Sequence, residues 1–158
     1  MHNFSSCVLD TSVIIKALFS PSHRESGTIY SREVTTHKSC VALLRALDEQ
    51  GIRIIIPRCG IIEIAAVSKR LSDSSHAEQI CAEVETNFTI VPEERIIPMA
   101  KRIALDEGCP GFDTYFLALA EQDIIPLFTD DLGMHRMCSH RKIQSWLVRD
   151  LDPASLFP

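Results

Sequence analysis

The sequence predicts an α/β fold, with a central, mostly parallel sheet of about four to five strands and helices on both faces. Three observations carry this expectation. The runs Cys7-Val8-Leu9, Ile54-Ile55-Ile56 and Leu127-Phe128 are short and continuously apolar, as strands buried on both faces are. Apolar residues between these runs recur three or four positions apart, the helical period. Asp10, Glu63, Asp113 and Asp131 stand at or just beyond apolar strands, and the carboxyl ends of strands are where open parallel sheets bind ligands.

The bulk numbers set bounds. A chain of 158 residues suits one domain over 1–158, and 46% hydrophobic residues suffice for a sheet covered on both faces. The net charge of −5 excludes a general electrostatic attraction for nucleic acid. Binding a polyanion would need a local basic strip and metal ions. No apolar run approaches membrane-spanning length, and the polar Met1–Ser6 does not read as a secretory signal, so the expected location is cytoplasmic. The six cysteines are scattered singly, which suits small reduced residues more than a zinc or redox pair.

In chain order, a strand is expected over Ser6–Asp10. Thr11 and Ser12 are candidate caps for a helix that stops before Pro21. Residues 20–36 are polar and of mixed charge and read as an insertion or loop, or else a helical excursion. The functional version of that stretch is a lid or an RNA-contact arm bearing Arg24 and Arg32. Val41, Leu44 and Leu47 mark a helix over Lys38–Gln50, stopped by Gly51. A strand over Arg53–Pro57 follows, then a helix near Cys59–Leu71 with Glu63 one turn in, and another over Ser75–Thr86. Phe88–Val91 suits a third strand and Pro92–Arg95 a turn. Pro98 suits the first turn of a helix ending near Glu107. After Gly111, the residues Phe112, Phe116, Leu119 and Ala120 share a helical face. Pro126–Thr129 suits a buried strand ending on Asp130-Asp131. Leu132–Arg141 is a loop or short helix, Ile143–Val148 a last strand, and Asp150–Pro158 a tail.

Four carboxylates converging at one sheet edge repel one another, and their pKa values rise without a compensating cation. Proteins accept that cost where oxygen ligands hold a hard divalent ion, Mg²⁺ or Mn²⁺. Such an ion polarises a phosphate and acidifies a bound water. The pattern therefore points to metal-assisted hydrolysis of a phosphodiester. Each acid also has a structural alternative. Asp10 could cap its helix, Asp113 could face its own helix terminus, Glu63 could be solvated, and Asp130-Asp131 could form a turn.

The same residues resemble a known family. Val8-Leu9-Asp10-Thr11-Ser12 is similar to the opening of PIN-domain ribonucleases. Glu63 looks like their second acid and Gly111-Phe112-Asp113 like the third. Phe128-Thr129-Asp130-Asp131 resembles their strand-terminal T-x-D, which makes Asp131 the fourth. The likeness spans Cys7 to about Met134. It implies a PIN-like three-layer sandwich and an endoribonuclease dependent on Mg²⁺ or Mn²⁺, acting on RNA to leave a 5′-phosphate and a 3′-hydroxyl. Many members are VapC-like toxins of a toxin–antitoxin pair, homodimeric and silenced by a small antitoxin protein. The likeness also implies roles. Asp10, Glu63 and Asp113 hold the main ion, and Asp131, with Asp130 in reserve, completes its shell or holds a second. Ser12 and Thr129 either orient the carboxylates or are ordinary cap and strand-end hydroxyls.

His135, Cys138 and His140 cluster in sequence but lack a fourth zinc partner and regular spacing. Lys69-Arg70, Lys101-Arg102 and Arg141-Lys142 are solvated pairs or phosphate contacts. Trp146 suits a core or dimer contact. A catalytically silent PIN-like module that binds RNA or protein is the alternative function. An aspartate-nucleophile phosphatase would want Asp-x-Asp where Asp10-Thr11-Ser12 stands. A phospho-receiver would want its acidic pair early in the chain.

Overall fold

The computed structural model describes residues 4–22 and 27–157. Arg24 lies outside them. Among the described residues the chain forms β1 (Ser6–Leu9), α1 (Thr11–Leu18), α2 (Gly27–Glu49), β2 (Arg53–Pro57), α3 (Cys59–Leu71) and α4 (Ser74–Asn87). It continues with β3 (Thr89–Val91), α5 (Glu93–Glu107), α6 (Gly111–Asp123), β4 (Leu127–Thr129), α7 (Leu132–His140) and β5 (Ser145–Leu147).

The five strands form one all-parallel sheet in the order β3-β2-β1-β4-β5. The chain steps outward from β1 to β2 and β3, then crosses back to β4 and on to β5. That reversal puts a topological switch point between β1 and β4, where open α/β sheets leave a crevice at the strands' carboxyl ends. Helices divide into two layers. On one face α1 packs on α2 and α3, and α3 on α4; on the other, α6 packs on α5 and α7. This is the predicted three-layer α/β sandwich, as right-handed crossovers on a reversing strand order require.

The strands are apolar because both their faces are covered. Leu9, Ile56, Leu127 and Phe128 are fully buried, together with Leu117 and Leu119 of α6. At the β4–β5 edge, Trp146 stacks on Phe128 with ring centroids 4.8 Å apart, and Phe4 and Phe157 extend the aromatic cluster. Trp146 is thus packed against the core, and the expected C-terminal tail folds back: Leu156 is buried. All six cysteines are free thiols.

Several boundaries differ from expectation. The helix predicted over Lys38–Gln50 begins at Gly27, so residues 27–36 are helical. Tertiary contacts hold them there: Lys16 of α1 pairs with Glu33 at 2.8 Å, and His37 donates to the Lys16 carbonyl at 2.6 Å. The expected turn at Pro92–Arg95 is instead the N-terminus of α5, with Pro92 as N-cap. Pro98 lies inside that helix rather than in its first turn, where its ring forfeits a bond to the Glu94 carbonyl. Phe112 does not join the inward face of α6; it is 54% exposed, because the helix begins at Gly111 and its first turn projects beyond the core. Leu132–His140 is a helix, and the last strand is shortened to Ser145–Leu147.

Candidate active site

The acids come together at the switch point. The end of β1 is tied to β4 by the Asp10 N–H, which donates to the Phe128 carbonyl at 3.0 Å. Asp10 occupies the N-cap position of α1, yet its carboxylate makes no cap bond. It is buried and turned instead toward a ring of hydroxyls. Oδ2 accepts from Thr129 Oγ1 at 2.7 Å and from Ser12 Oγ. Thr11 Oγ1 lies 3.5 Å from Oδ1 and donates at 2.6 Å to Oε2 of Glu63, bridging β1's end to α3. Glu63 is solvent-exposed on one side and lines the same cavity.

That cavity, about 200 Å³, is lined by Asp10, Glu63, Asp113 and Asp131, with Thr11 and Ser12 between them and apolar walls from Ile15, Val67 and Met134. Asp113 enters from the first turn of α6. Among the described residues no donor reaches its carboxylate. Asp131 is the N-cap of α7, with Oδ1 accepting from Met134 N–H at 2.8 Å. The chain turns past it at Gly133, where a Cβ would lie 2.9 Å from Asp131 Oδ1. A side chain there would make the Asp131 carboxylate shift from its place over the helix end.

Ser12 and Thr129 couple these acids to the sheet. Ser12 Oγ accepts from the Asp130 N–H at 3.2 Å while donating to Asp10. Thr129 Oγ1 accepts from the Asp131 N–H at 2.9 Å while donating to Asp10. Each hydroxyl thus fixes a carboxylate and the backbone of the β4–α7 turn at once.

Asp130 points the other way. Its side chain is 1% exposed and held between two cations: Lys16 Nζ at 2.6 Å on Oδ2 and Arg149 Nε at 2.8 Å on Oδ1. Arg149 also donates to the Asp130 carbonyl. The adjacent aspartates therefore part, with Asp131 in the cavity and Asp130 in a buried ion-pair network. Nothing in the local sequence pattern near Asp130 signals Lys16 or Arg149, which come from distant elements. Thr11 does carry a signal, lying next to Asp10.

The electrostatics follow from the geometry. Burial raises the Asp10 carboxyl above its ordinary value, the Ser12 and Thr129 hydroxyls oppose this, and the Glu63 charge adds to it. Asp113 is pushed up to about 6, first by burial and then by the charges of Asp10, Asp131 and Glu63. Asp113 thus senses the charges of the other three acids. Among the described residues none of the four is in an ion pair. Among the described residues, too, no group of three or more His, Cys, Asp or Glu side chains is drawn close enough to hold an ion as the chains stand. The donor set itself is all oxygen, with no thiol or imidazole, which fits a hard divalent cation rather than zinc.

His135, Cys138 and His140, close in sequence but a poor zinc site by their spacing, do not converge. His135 Nδ1 meets Ser145 Oγ at 2.9 Å, His140 meets Glu107 at 3.0 Å, and Cys138 is buried. Arg141 is bound to Glu121 at 2.6 Å and to Glu107 at 3.2 Å, so it knits helices together. Arg32 is exposed beside Glu33.

No curated protein matches this chain. The PIN domain family model matches residues 7–139, a span holding every acid of the cavity. Members of that family are generally nucleases that typically use divalent metals. This chain belongs to the PIN-domain family.

Proposed function

We propose that this protein is an endoribonuclease dependent on Mg²⁺ or Mn²⁺, hydrolysing RNA phosphodiester bonds at the four-acid cavity. The observation that carries the reading is the convergence of Asp10, Glu63, Asp113 and Asp131 on one cavity at the sheet's switch point, with no cation paired to them among the described residues. Asp10, Glu63 and Asp113 would hold the main ion and Asp131 would complete its shell. We prefer Asp131 to Asp130 for this place because Lys16 and Arg149 already take both Asp130 oxygens. A bound divalent ion supplies phosphate polarisation and a water acidic enough to attack at neutral pH. The chain's own residues do the positioning. Ser12 and Thr129 hold Asp10 Oδ2 in one orientation, Thr11 fixes Glu63, and the α7 N-terminus fixes Asp131. Ile15, Val67 and Met134 exclude water from one wall, which strengthens the field at the acids.

The finer assignment rests on the resemblance alone: a VapC-like toxin of a toxin–antitoxin pair, homodimeric, cytoplasmic and bound by an antitoxin protein. A short open reading frame immediately upstream would favour it. The function itself is tested with purified protein and single-stranded RNA. Cleavage leaving a 5′-phosphate should need Mg²⁺ or Mn²⁺ and be lost in Asp10→Asn. Activity that survives both chelation and that substitution would refute the proposal. A protein that binds RNA but never cuts it would be the silent module.

A further inference from the structure

The groove between α1 and α3 does not end at the acids. Ile15 walls both the acidic cavity and a second one of about 350 Å³, lined further by Lys16, Phe19, Glu33, His37 and Leu71. Along α3, Glu63, Val67 and Leu71 recur at four-residue spacing and so form one stripe. The first two line the acidic cavity and the third lines its neighbour. On the α1 side, Ser12 and Ile15 line the acidic cavity, and Phe19, the residue that ends the helix, lines its neighbour. Ser12 and Phe19 are separated by about 10 Å of helical rise. A polynucleotide with a phosphate at the acids brings the next base, or the one after, to the second cavity.

The lining there is specific. Phe19 presents an aromatic ring, set edge-on to His76 with centroids 6.3 Å apart. His37 Nδ1 lies 2.6 Å from the Lys16 carbonyl, which can only accept. Nδ1 therefore carries the proton, and Nε2, with the Ser20 hydroxyl 3.5 Å away at the edge of the same cavity, is the ring's acceptor position. Glu33, with a side chain 21% exposed, accepts from Lys16 on Oε2 and from Arg32 on Oε1, and the remaining lone pairs of these oxygens make it a second acceptor. Lys16 is no anion site, since its ammonium already lies between Glu33 and Asp130. The cavity combines an aromatic face, apolar walls and two acceptors, at a size typical of small-ligand pockets.

We infer that this second cavity is a base-reading pocket, taking the base of a nucleotide beside the cut and favouring bases with an exocyclic amino group over uracil. Phe19 stacks on the base, and Glu33 and His37 accept from its amino edge. The inference rests on the nuclease reading and deepens it.

The test maps cut sites on a random-sequence single-stranded RNA with Mn²⁺, comparing wild type, Phe19→Leu and Glu33→Gln. Wild-type cuts should deplete uracil at one fixed position next to the cut or one further on, by about fivefold, the discrimination of one good base contact. Both variants should still cut but bring that position close to even. Should Phe19→Leu fail to fold, Glu33→Gln carries the comparison. Wild-type cuts without bias at those positions, or with a bias both variants keep, would overturn the pocket assignment; a cavity that serves a polypeptide instead gives this result. RNA left intact by the wild type would overturn the nuclease reading and the pocket with it, and uncut RNA is not confused with unbiased cuts.

Discussion

Replacing Asp113 by Asn should make the metal-free protein more stable at neutral pH. The Asp113 carboxyl, ordinarily near 3.8, is raised to about 6 by burial and by three neighbouring acids. A carboxyl raised in the folded state keeps its proton where the unfolded chain has lost it. Folding is then favoured at low pH, and stability falls as pH rises between about 4 and about 6. At 1.36 kcal/mol per pH unit the full effect is about 3 kcal/mol. Asp113 is partly exposed, so water screens it and about 1 kcal/mol is the realistic size. Asn cannot ionise, so the variant lacks this loss. Urea unfolding followed by Trp146 fluorescence, in chelator across pH 4 to 8, measures it. The wild-type-minus-variant difference cancels the titrating groups remote from the cavity and keeps Asp113 with the acids coupled to it. Asp113→Asn should gain on the wild type through that window and lead by about 1 kcal/mol at pH 7.5. Excess Mn²⁺ should reverse the order, because ligand at about a hundredfold its Kd stabilises by about 2.7 kcal/mol only where the site is intact. A difference that stays flat from pH 4 to 8 would refute the reasoning.

Other substitutions separate holding from binding. Thr129→Val removes a donor from buried Asp10 and an acceptor from the Asp131 N–H, and should cost about 1–3 kcal/mol in urea unfolding while slowing cleavage. Gly133→Ala should displace the Asp131 carboxylate slightly, since the new Cβ meets it at 2.9 Å; Mn²⁺ titration should show modestly weaker binding and urea unfolding little change. Asp130→Ala leaves Lys16 and Arg149 without their shared buried partner. It should cost about 3 kcal/mol, the low end for a broken buried pair because both cations are partly open to water. Its Mn²⁺-induced rise in Tm should persist, whereas that of Asp131→Asn should shrink.

The sheet was legible because its strands are buried on both faces. Cys7-Val8-Leu9, Ile54-Ile55-Ile56 and Leu127-Phe128 leave no polar alternation to confuse them. Asp10 and Asp131 were legible for a related reason, as charged residues just beyond such runs, whereas Glu63 and Asp113, expected there too, stand within α3 and α6 and reach the cavity from those helices. The start of α2 was not legible: Thr28, Tyr30, Thr35 and Thr36 carry weak helix propensity, and the segment is fixed by Lys16 and by burial of Thr36 against other elements. Nor could adjacent aspartates be told apart in sequence. Which of Asp130 and Asp131 enters the cavity depends on Arg149, brought back by the strand that follows α7, and on the α7 N-terminus claiming Asp131. Phe112 misled because helical spacing fixes a residue's face but not whether the core reaches that turn.

The most direct measurement is the anomalous signal of a crystal soaked in Mn²⁺. One strong peak is expected within coordination distance of Asp10, Glu63 and Asp113, with Asp131 at its margin. A cavity left without a peak at saturating Mn²⁺, or a peak beside Asp130 instead, would contradict the proposed metal centre.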